Sequence, residues 1–149
     1  MGLFSVNLQC DHDTAFHFNP RFSEGGVVVC NTKERQQWGK EERKHEMPFH
    51  KGQRFEIRIL VNHHCYMVSV NGNHFLEYKH RIPLHRVNTL HINGNVELEN
   101  VSFLGPGALL SVEKSLLMGG VKEIDLYDLR ATKVKTLALI GNNSIRNSC

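Results

Sequence analysis

The residues best suited to chemistry lie in one short stretch, Phe16 to Phe22, whose side chains alternate in type. In an extended strand alternate side chains point to opposite faces, so the aromatic and polar residues separate. The polar face then presents a ring nitrogen, an amide and a guanidinium, which can hold a neutral, hydroxyl-rich ligand because each hydroxyl both donates and accepts. Taken alone, the stretch also fits a half-buried strand with a solvated side. The polar row is His17, Asn19 and Arg21, and the aromatic row is Phe16, Phe18 and Phe22.

A second group of candidate side chains lies in the charged segment 33–46. Its tryptophan, Trp38, has polar or charged neighbours, which favours an exposed indole able to stack on the apolar face of a sugar ring. Glu41 and Arg43 are two residues apart, so in a strand they share a face. The carboxylate of Glu41 supplies acceptors and the guanidinium of Arg43 supplies a fixed fork of donors, so together they can bracket two vicinal hydroxyls. A solvated hairpin with salt bridges is an equally good interpretation of this segment by itself.

Both groups of candidate residues are predicted to lie on or between short strands. Runs rich in β-branched and aromatic residues alternate with turn signals along most of the chain. Asn71-Gly72 is a strong hairpin signal between 66–70 and 74–78. A further pair of strands, 87–92 and 96–104, is predicted around Asn93-Gly94-Asn95. This pattern predicts an all-β fold, an antiparallel β-sandwich.

The region after Leu104 has a different character, because Gly105-Pro106-Gly107 interrupts the strand pattern and Gly119-Gly120 interrupts it again. Between these breaks, Leu109 to Met118 is a candidate short helix, and Val134 to Ile140 is a candidate strand. No ligand motif is present in this region.

The composition of the chain argues against several classes of protein, including nucleic-acid-binding, membrane-inserted and metal-binding proteins. The chain has 149 residues, a formal charge of +3 and 22% charged residues, which suits one globular domain and is too weakly basic to indicate a nucleic-acid partner. No apolar run approaches the roughly 18 residues of a membrane span, and no signal segment is evident, so we expect no membrane insertion. The four widely spaced cysteines are predicted to be free thiols. The ten histidines lack zinc-site spacing, so no metal or cofactor is predicted.

Several of these motifs occur together in an order and spacing that resembles the carbohydrate-recognition domain of the galectin family. They are His17-Phe18-Asn19-Pro20-Arg21, Asn31 after a valine run, Trp38-Gly39, and Glu41 with Arg43. The resemblance covers about 4–104 and is greatest to the N-terminal domain of a tandem-repeat galectin. It implies a galectin-type β-sandwich (jelly-roll type) over 1–105 and an unmatched tail over 106–149. It also implies that about two N-terminal strands of the family's domain are missing here.

The resemblance further implies a role for each site residue. The three polar residues of the first stretch would bond the axial 4-hydroxyl and ring oxygen of galactose, and Asn31 its 6-hydroxyl. Trp38 would stack on the sugar, while the Glu41–Arg43 pair would reach the 6-hydroxyl and the 3-hydroxyl of the neighbouring sugar. The implied function is metal-independent binding of β-galactosides of the lactose or N-acetyllactosamine type, on glycoproteins or glycolipids. The implied location is the cytoplasm, with release by a non-classical route. The expected carbohydrate-binding residues are His17, Asn19, Arg21, Asn31, Trp38, Glu41 and Arg43.

Other interpretations lead to different expectations. An enzyme is disfavoured because the adjacent Glu41 and Glu42 would point to opposite faces of a strand, whereas glycoside hydrolysis needs two carboxyls flanking one bond. The alternative function is an intracellular protein-interaction module with weak or no sugar binding. The missing strands predict an open sheet edge, which could be covered by 134–140 or by a second copy, giving a homo-oligomer.

Overall fold

The computed structural model describes residues 4–105, 108–112, 115–126 and 136–143. These residues form twelve strands and two short 3-10 turns, Ser23–Gly25 and Leu84–Arg86. Among them, no helix has the length and apolar character needed to cross a membrane. In chain order the strands are β1 (Phe4–Cys10), β2 (Asp13–Arg21), β3 (Val27–Glu34), β4 (Gln37–Trp38), β5 (Glu42–Lys44), β6 (Arg54–Val61), β7 (Cys65–Val70), β8 (Asn73–Lys79), β9 (Thr89–Gly105), β10 (Ala108–Val112), β11 (Ser115–Asp125) and β12 (Thr136–Asn142).

The strands pair in the order β4-β3-β2-β1-β9-β12-β6-β7-β8, with β5 beside β3 and with β10 and β11 beside β9. The two ends of this order meet in space, because Thr32 Oγ1 on β3 lies 2.6 Å from the Tyr78 hydroxyl on β8. The sheet therefore folds over on itself, and its two halves face each other. The predicted all-β fold, an antiparallel β-sandwich, is confirmed.

The core between the two halves is built largely from aromatic rings. Phe16 and Phe18 are fully buried, and Phe16 stacks on Tyr66 with ring centroids 4.9 Å apart. This burial anchors β2 to the core and leaves its polar residues on the opposite, outer face. Phe22 lies beyond the end of β2 and is only partly buried, so it contributes less to this packing.

The cysteine prediction is confirmed where the structure describes it. Cys10, Cys30 and Cys65 are buried free thiols, and Cys149 lies outside the described residues. Burial raises the pKa of Cys30 to about 12, so its thiol stays protonated at physiological pH.

Two predictions about turns have opposite outcomes. The Asn71-Gly72 hairpin is confirmed: both residues have positive φ, 52° and 83°, as a two-residue type I′ turn requires. The predicted turn at Asn93-Gly94-Asn95 is wrong, because 89–105 form one continuous strand. The neighbouring β11 pairs with β9 on both sides of Gly94, and the positive φ of this glycine, 112°, lets the strand bend there without ending.

The C-terminal region adds strands to the same sheet. The predicted helix from Leu109 to Met118 is wrong, since its described residues belong to β10 and β11, both antiparallel to β9. Pairing with the long edge of β9 overrides a weak local helix preference. The predicted strand at 134–140 is confirmed as β12 over 136–142, and 134–135 lie outside the described residues. β12 lies between β9 and β6 and buries Leu137 and Leu139 in the core.

Candidate functional site

A pocket of about 470 Å³ opens on the outer face of β2 and β3 and is bounded by β4 and the loop before β5. Five of the seven predicted site residues line it, and the other two, Asn19 and Arg43, each hydrogen-bond a residue that does. The structure thus brings the whole predicted set to one place. The lining residues are His17, Arg21, Val29, Asn31, Trp38, Gly39 and Glu41.

The His17 ring is oriented from below by β1, whose Asn7 is its register partner. His17 Nδ1 lies 2.6 Å from Asn7 Oδ1. The amide nitrogen of Asn7 donates to Ser5 Oγ at 3.0 Å and to the carbonyl of His91 at 3.1 Å. Since this nitrogen is committed as a donor, Asn7 Oδ1 can only accept, and the proton must sit on His17 Nδ1. His17 Nε2 then carries a lone pair.

The charge state of His17 follows from its surroundings. Its pKa is lowered from 6.5 to about 4, mainly by burial and also by the positive charge of nearby Arg21, while Glu41 opposes these two effects. The ring is therefore neutral at physiological pH, and Nε2 acts as a hydrogen-bond acceptor.

Arg21 supplies the donors of the site. Its Nε donates to Asn19 Oδ1 at 2.8 Å, and Asn19 Nδ2 donates to the carbonyl of Phe4 at 2.8 Å. Asn19 is buried, so it acts as a support that orients the guanidinium. The two terminal amino groups of Arg21 make no hydrogen bond to the described residues.

Trp38 forms one wall of the pocket and is 49% exposed, as predicted. Its ring centroid lies 4.8 Å from that of His17, with the planes tilted by 53°. Lys33, its register partner across β3 and β4, places its Nζ 5.6 Å from the indole centroid. The indole is therefore an exposed apolar platform next to the acceptor of His17.

The Glu41–Arg43 pair forms as predicted, with Arg43 Nε donating to Glu41 Oε1 at 2.8 Å. Glu42 turns instead to Arg81, whose Nη2 donates to Glu42 Oε2 at 2.8 Å. The two adjacent carboxylates thus have different partners and do not face one another across the pocket.

Arg81 and Gly39 hold this side of the pocket together, and sequence reasoning assigned them no role. Arg81 Nη1 donates to Asn31 Oδ1 at 3.1 Å, and its Nη2 to the carbonyl of Lys40 at 2.8 Å. Asn31 Nδ2 donates to the carbonyl of Gly39 at 2.9 Å. A Cβ on Gly39 would lie 3.1 Å from Arg81 Nη1, so a larger residue would crowd the network. Asn7 was missed as well, although the alternating polar residues of its strand were a usable signal.

The pocket combines one aromatic surface, one neutral acceptor, one fork of donors and one carboxylate, which suits a ligand with several hydroxyls. In the described part of the chain, no three His, Cys, Asp or Glu side chains are grouped so that they could hold a metal ion.

Residues 1–103 match the family model described as galactoside-binding lectin. The chain belongs to the galectin family. It is 49% identical over 102 residues to galectin-4 of Rattus norvegicus, covering 68% of this chain and 32% of that protein. It is 46% identical over 127 residues to galectin-8 of the same organism, covering 85% and 40%. The predicted likeness to tandem-repeat galectins is confirmed.

Solved structures give the same family. A variant of human galectin-16 has 28% sequence identity and a TM-score of 0.59, covering 74% of each chain. A galectin of Caenorhabditis elegans has 26% identity and a TM-score of 0.54, covering 91% of this chain and 70% of that one. The chain described here spans about a third of the length of the galectin-4 relatives that it matches.

Proposed function

We propose that this galectin is a metal-independent lectin for β-galactosides of the lactose or N-acetyllactosamine type, carried on glycoproteins or glycolipids. The family is one of galactoside-binding lectins, not of enzymes. The observation that carries the proposal is the neutral His17, oriented by Asn7, beside the terminal amino groups of Arg21 and the exposed ring of Trp38. We propose that residues 1–105 form the carbohydrate-recognition domain and that residues 106–149 support the sheet of this domain.

The axial 4-hydroxyl of galactose can hydrogen-bond both His17 and Arg21, which lie side by side in the pocket. In the proposed complex this hydroxyl donates to His17 Nε2 and accepts from a terminal amino group of Arg21, which also reaches the ring oxygen. Both protein groups are already oriented, so little side-chain freedom is lost on binding. The equatorial epimer would leave them unpaired, and unpaired buried polar groups cost about 1–3 kcal/mol each.

The remaining residues of the set hold the rest of the disaccharide. An axial 4-hydroxyl leaves the opposite face of galactose with clustered C–H groups, and these would lie on Trp38. Asn31 and Glu41 would contact the 6-hydroxyl, while Glu41 and Arg43 together would reach the 3-hydroxyl of the second sugar. The existing Glu41–Arg43 bond orders this pair before ligand arrives.

A direct test compares lactose with cellobiose, a disaccharide of glucose only. Trp38 is the single tryptophan of the chain, so its fluorescence reports on this pocket alone. We expect lactose to bind with a Kd between about 1 µM and 1 mM and cellobiose at least tenfold more weakly. Equal affinity for the two disaccharides would refute the proposal.

Variants test the individual roles. Trp38→Ala and Arg21→Ala should abolish retention on lactose-agarose, while Tm should change little because the exposed indole and the half-buried guanidinium are not core groups. Arg58→Ala is a matched control, since this arginine is exposed on β6 and pairs only with Glu56 among the described residues. If Trp38→Ala unfolds the protein, the tryptophan is part of the core and the assignment is wrong.

Location and assembly follow as further proposals. We propose cytoplasmic residence with non-classical release, and no nucleic-acid partner or membrane insertion. β12 already lies between β9 and β6, whereas the outer edge of β11 pairs with no strand among the described residues. A homo-oligomer would therefore use that edge, which size-exclusion chromatography with light scattering can test. If lactose-agarose fails to retain the folded protein, the alternative role as an intracellular interaction module gains support.

A further inference from the structure

Trp38 lies on a segment that is not anchored in the core. Residues 34–43 are all exposed, and β4, which carries the tryptophan, has only two residues. Hydrogen bonds from Asn31 and Arg81 hold the part of this segment that follows Trp38. The part that precedes Trp38 is the turn between β3 and β4, so the position of the indole also depends on this turn.

The β3–β4 turn has a conformation that its residues disfavour. Glu34 pairs with Gln37, which leaves Arg35 and Gln36 as a two-residue loop with positive φ angles of 53° and 66°. Two positive φ angles are those of a type I′ turn, in which Asn and Gly are preferred. The left-handed conformation is strained for Arg and Gln, so contacts outside the loop have to stabilise it.

The ladder between β2 and β3 gives little support at this end of the sheet. From the Thr14–Lys33 pair to the His17–Asn31 pair there are three steps along β2 but two along β3, so β2 has a bulge there. Among residues 4–105, Thr14–Lys33 is the only β2–β3 pair beyond this bulge. The end of β3 and the turn that follows it therefore need a second attachment.

Asp13, the first residue of β2, provides this attachment. Its Oδ1 accepts a hydrogen bond from the backbone N–H of Arg35 at 2.9 Å, and its Oδ2 accepts one from Arg86 Nη2 at 3.0 Å. The bond from the Arg35 amide and then the bond from Arg86 lower the pKa of the Asp13 carboxyl, which is therefore ionised at physiological pH. A charged acceptor makes both hydrogen bonds stronger than neutral ones.

Arg86 links this attachment to the core. It ends the second 3-10 turn and lies between Ile82 and Val87, which are both buried. Its Nη1 also lies 3.8 Å from Glu34 Oε2, a weaker contact because the Glu34 side chain is half exposed. The guanidinium thus holds Asp13 from the side opposite the turn and faces the last residue of β3 as well.

We propose that Asp13 and Arg86 are positioning residues that fix the Trp38 indole by holding the β3–β4 turn in its strained conformation. This inference rests on the proposed lactose binding, in which galactose stacks on the indole. Without the Asp13 carboxylate the turn relaxes, and the two-residue β4 no longer keeps a single pairing with β3. If the indole is then in place about 10–30% of the time, the apparent Kd for lactose rises about three- to tenfold.

The test compares Asp13→Ala with a variant that combines this change with a preferred type I′ turn, Arg35→Asn and Gln36→Gly. We expect Asp13→Ala to raise the lactose Kd about three- to tenfold. In the ligand-free protein, the time-resolved fluorescence anisotropy of Trp38 should gain a fast component. The two turn substitutions should restore both properties, because Asn-Gly forms this turn without the carboxylate. In the wild-type background they should leave the lactose Kd unchanged.

Two further variants sharpen the test. Arg86→Ala is a milder change than Asp13→Ala, since the Arg35 amide keeps its acceptor, and it should raise the lactose Kd about two- to threefold. An unchanged Kd and anisotropy would show that Arg86 positions nothing. Glu99→Ala is the matched control, because it removes a carboxylate from an exposed ion pair with Arg54, and it should change neither the Kd nor the anisotropy.

The outcomes separate this inference from the proposed function. If the folded wild type does not bind lactose, the proposed function fails, and the anisotropy of Trp38 in the ligand-free variants still decides whether Asp13 positions the indole. A folded Asp13→Ala protein with wild-type Kd and anisotropy would overturn the inference. A loss of affinity that the Asn-Gly turn does not restore would overturn it as well. Circular dichroism and Tm of each variant check that the fold is intact.

Discussion

The neutral state of His17 allows us to predict quantitatively how lactose affinity depends on pH. In the proposed complex the ring presents a lone pair on Nε2 to the galactose 4-hydroxyl, so we expect only the neutral form to bind. With its pKa lowered to about 4 by burial, about 9% of the rings are protonated at pH 5, and affinity there should be only about 1.1-fold weaker than at pH 7.5. With the ordinary pKa of 6.5, affinity would already be about 30-fold weaker at pH 5.

The assay is a lactose titration followed by Trp38 fluorescence at pH 7.5, 6.5, 5.5 and 5, with folding checked by circular dichroism at each pH. Asn7→Asp is the informative variant. It places a carboxylate beside His17 Nδ1, now 2.6 Å from the Asn7 oxygen, and so favours the imidazolium. We expect its lactose affinity, referred to its own value at pH 7.5, to fall as the pH decreases to 5. A wild-type affinity that falls tenfold with a midpoint between pH 6 and 7 would show that burial does not keep this ring neutral.

The same pKa shift has a consequence for stability. The folded pKa of His17 lies below the unfolded value of 6.5, so between these two pH values the unfolded chain binds more protons than the folded one. Stability should therefore decrease as the pH falls from 6.5 to 4, by about 3 kcal/mol at most from this group. Urea unfolding of the wild type and His17→Gln across that range measures the difference, since the variant lacks the titrating ring.

Three further predictions concern the supports of the site and the sheet. Gly141→Ala should lower the free energy of unfolding by about 1–3 kcal/mol, because the added Cβ would lie 2.7 Å from the carbonyl of Glu97. Gly120→Ala should change the free energy of unfolding by less than about 1 kcal/mol, because a Cβ at this position would meet no atom within 4 Å. Equal effects of the two substitutions in urea unfolding would argue against a tightly packed β12. Arg81→Lys should weaken lactose binding about three- to tenfold, because an ammonium cannot keep both the Asn31 and the main-chain contacts, whereas an unchanged Kd would show that Arg81 positions nothing. Prolonged dialysis against EDTA should leave the lactose Kd unchanged, and a loss of binding would indicate a metal.

The features that depend only on neighbours along the chain could be predicted before the fold was known. Alternation in a strand separated the phenylalanines of β2 from His17, Asn19 and Arg21. The positive φ that Asn71 and Gly72 tolerate set the hairpin, and a spacing of two brought Glu41 to Arg43. In each case the backbone period or a two-residue turn decides the outcome, so no distant contact is needed.

The distant residues that support the site could not be predicted in this way, because they come together through the pairing and folding of the sheet. Asn7 lies beneath His17 because β1 and β2 adopt one register, and a shift of a single residue would have turned its side chain to the other face. Arg81 reaches Asn31 across 50 positions only because the sheet folds over on itself. The C-terminal strands likewise depend on an available edge of β9. The described residues between Leu109 and Met118 carry no strong local preference, so pairing with β9 decided their strand conformation.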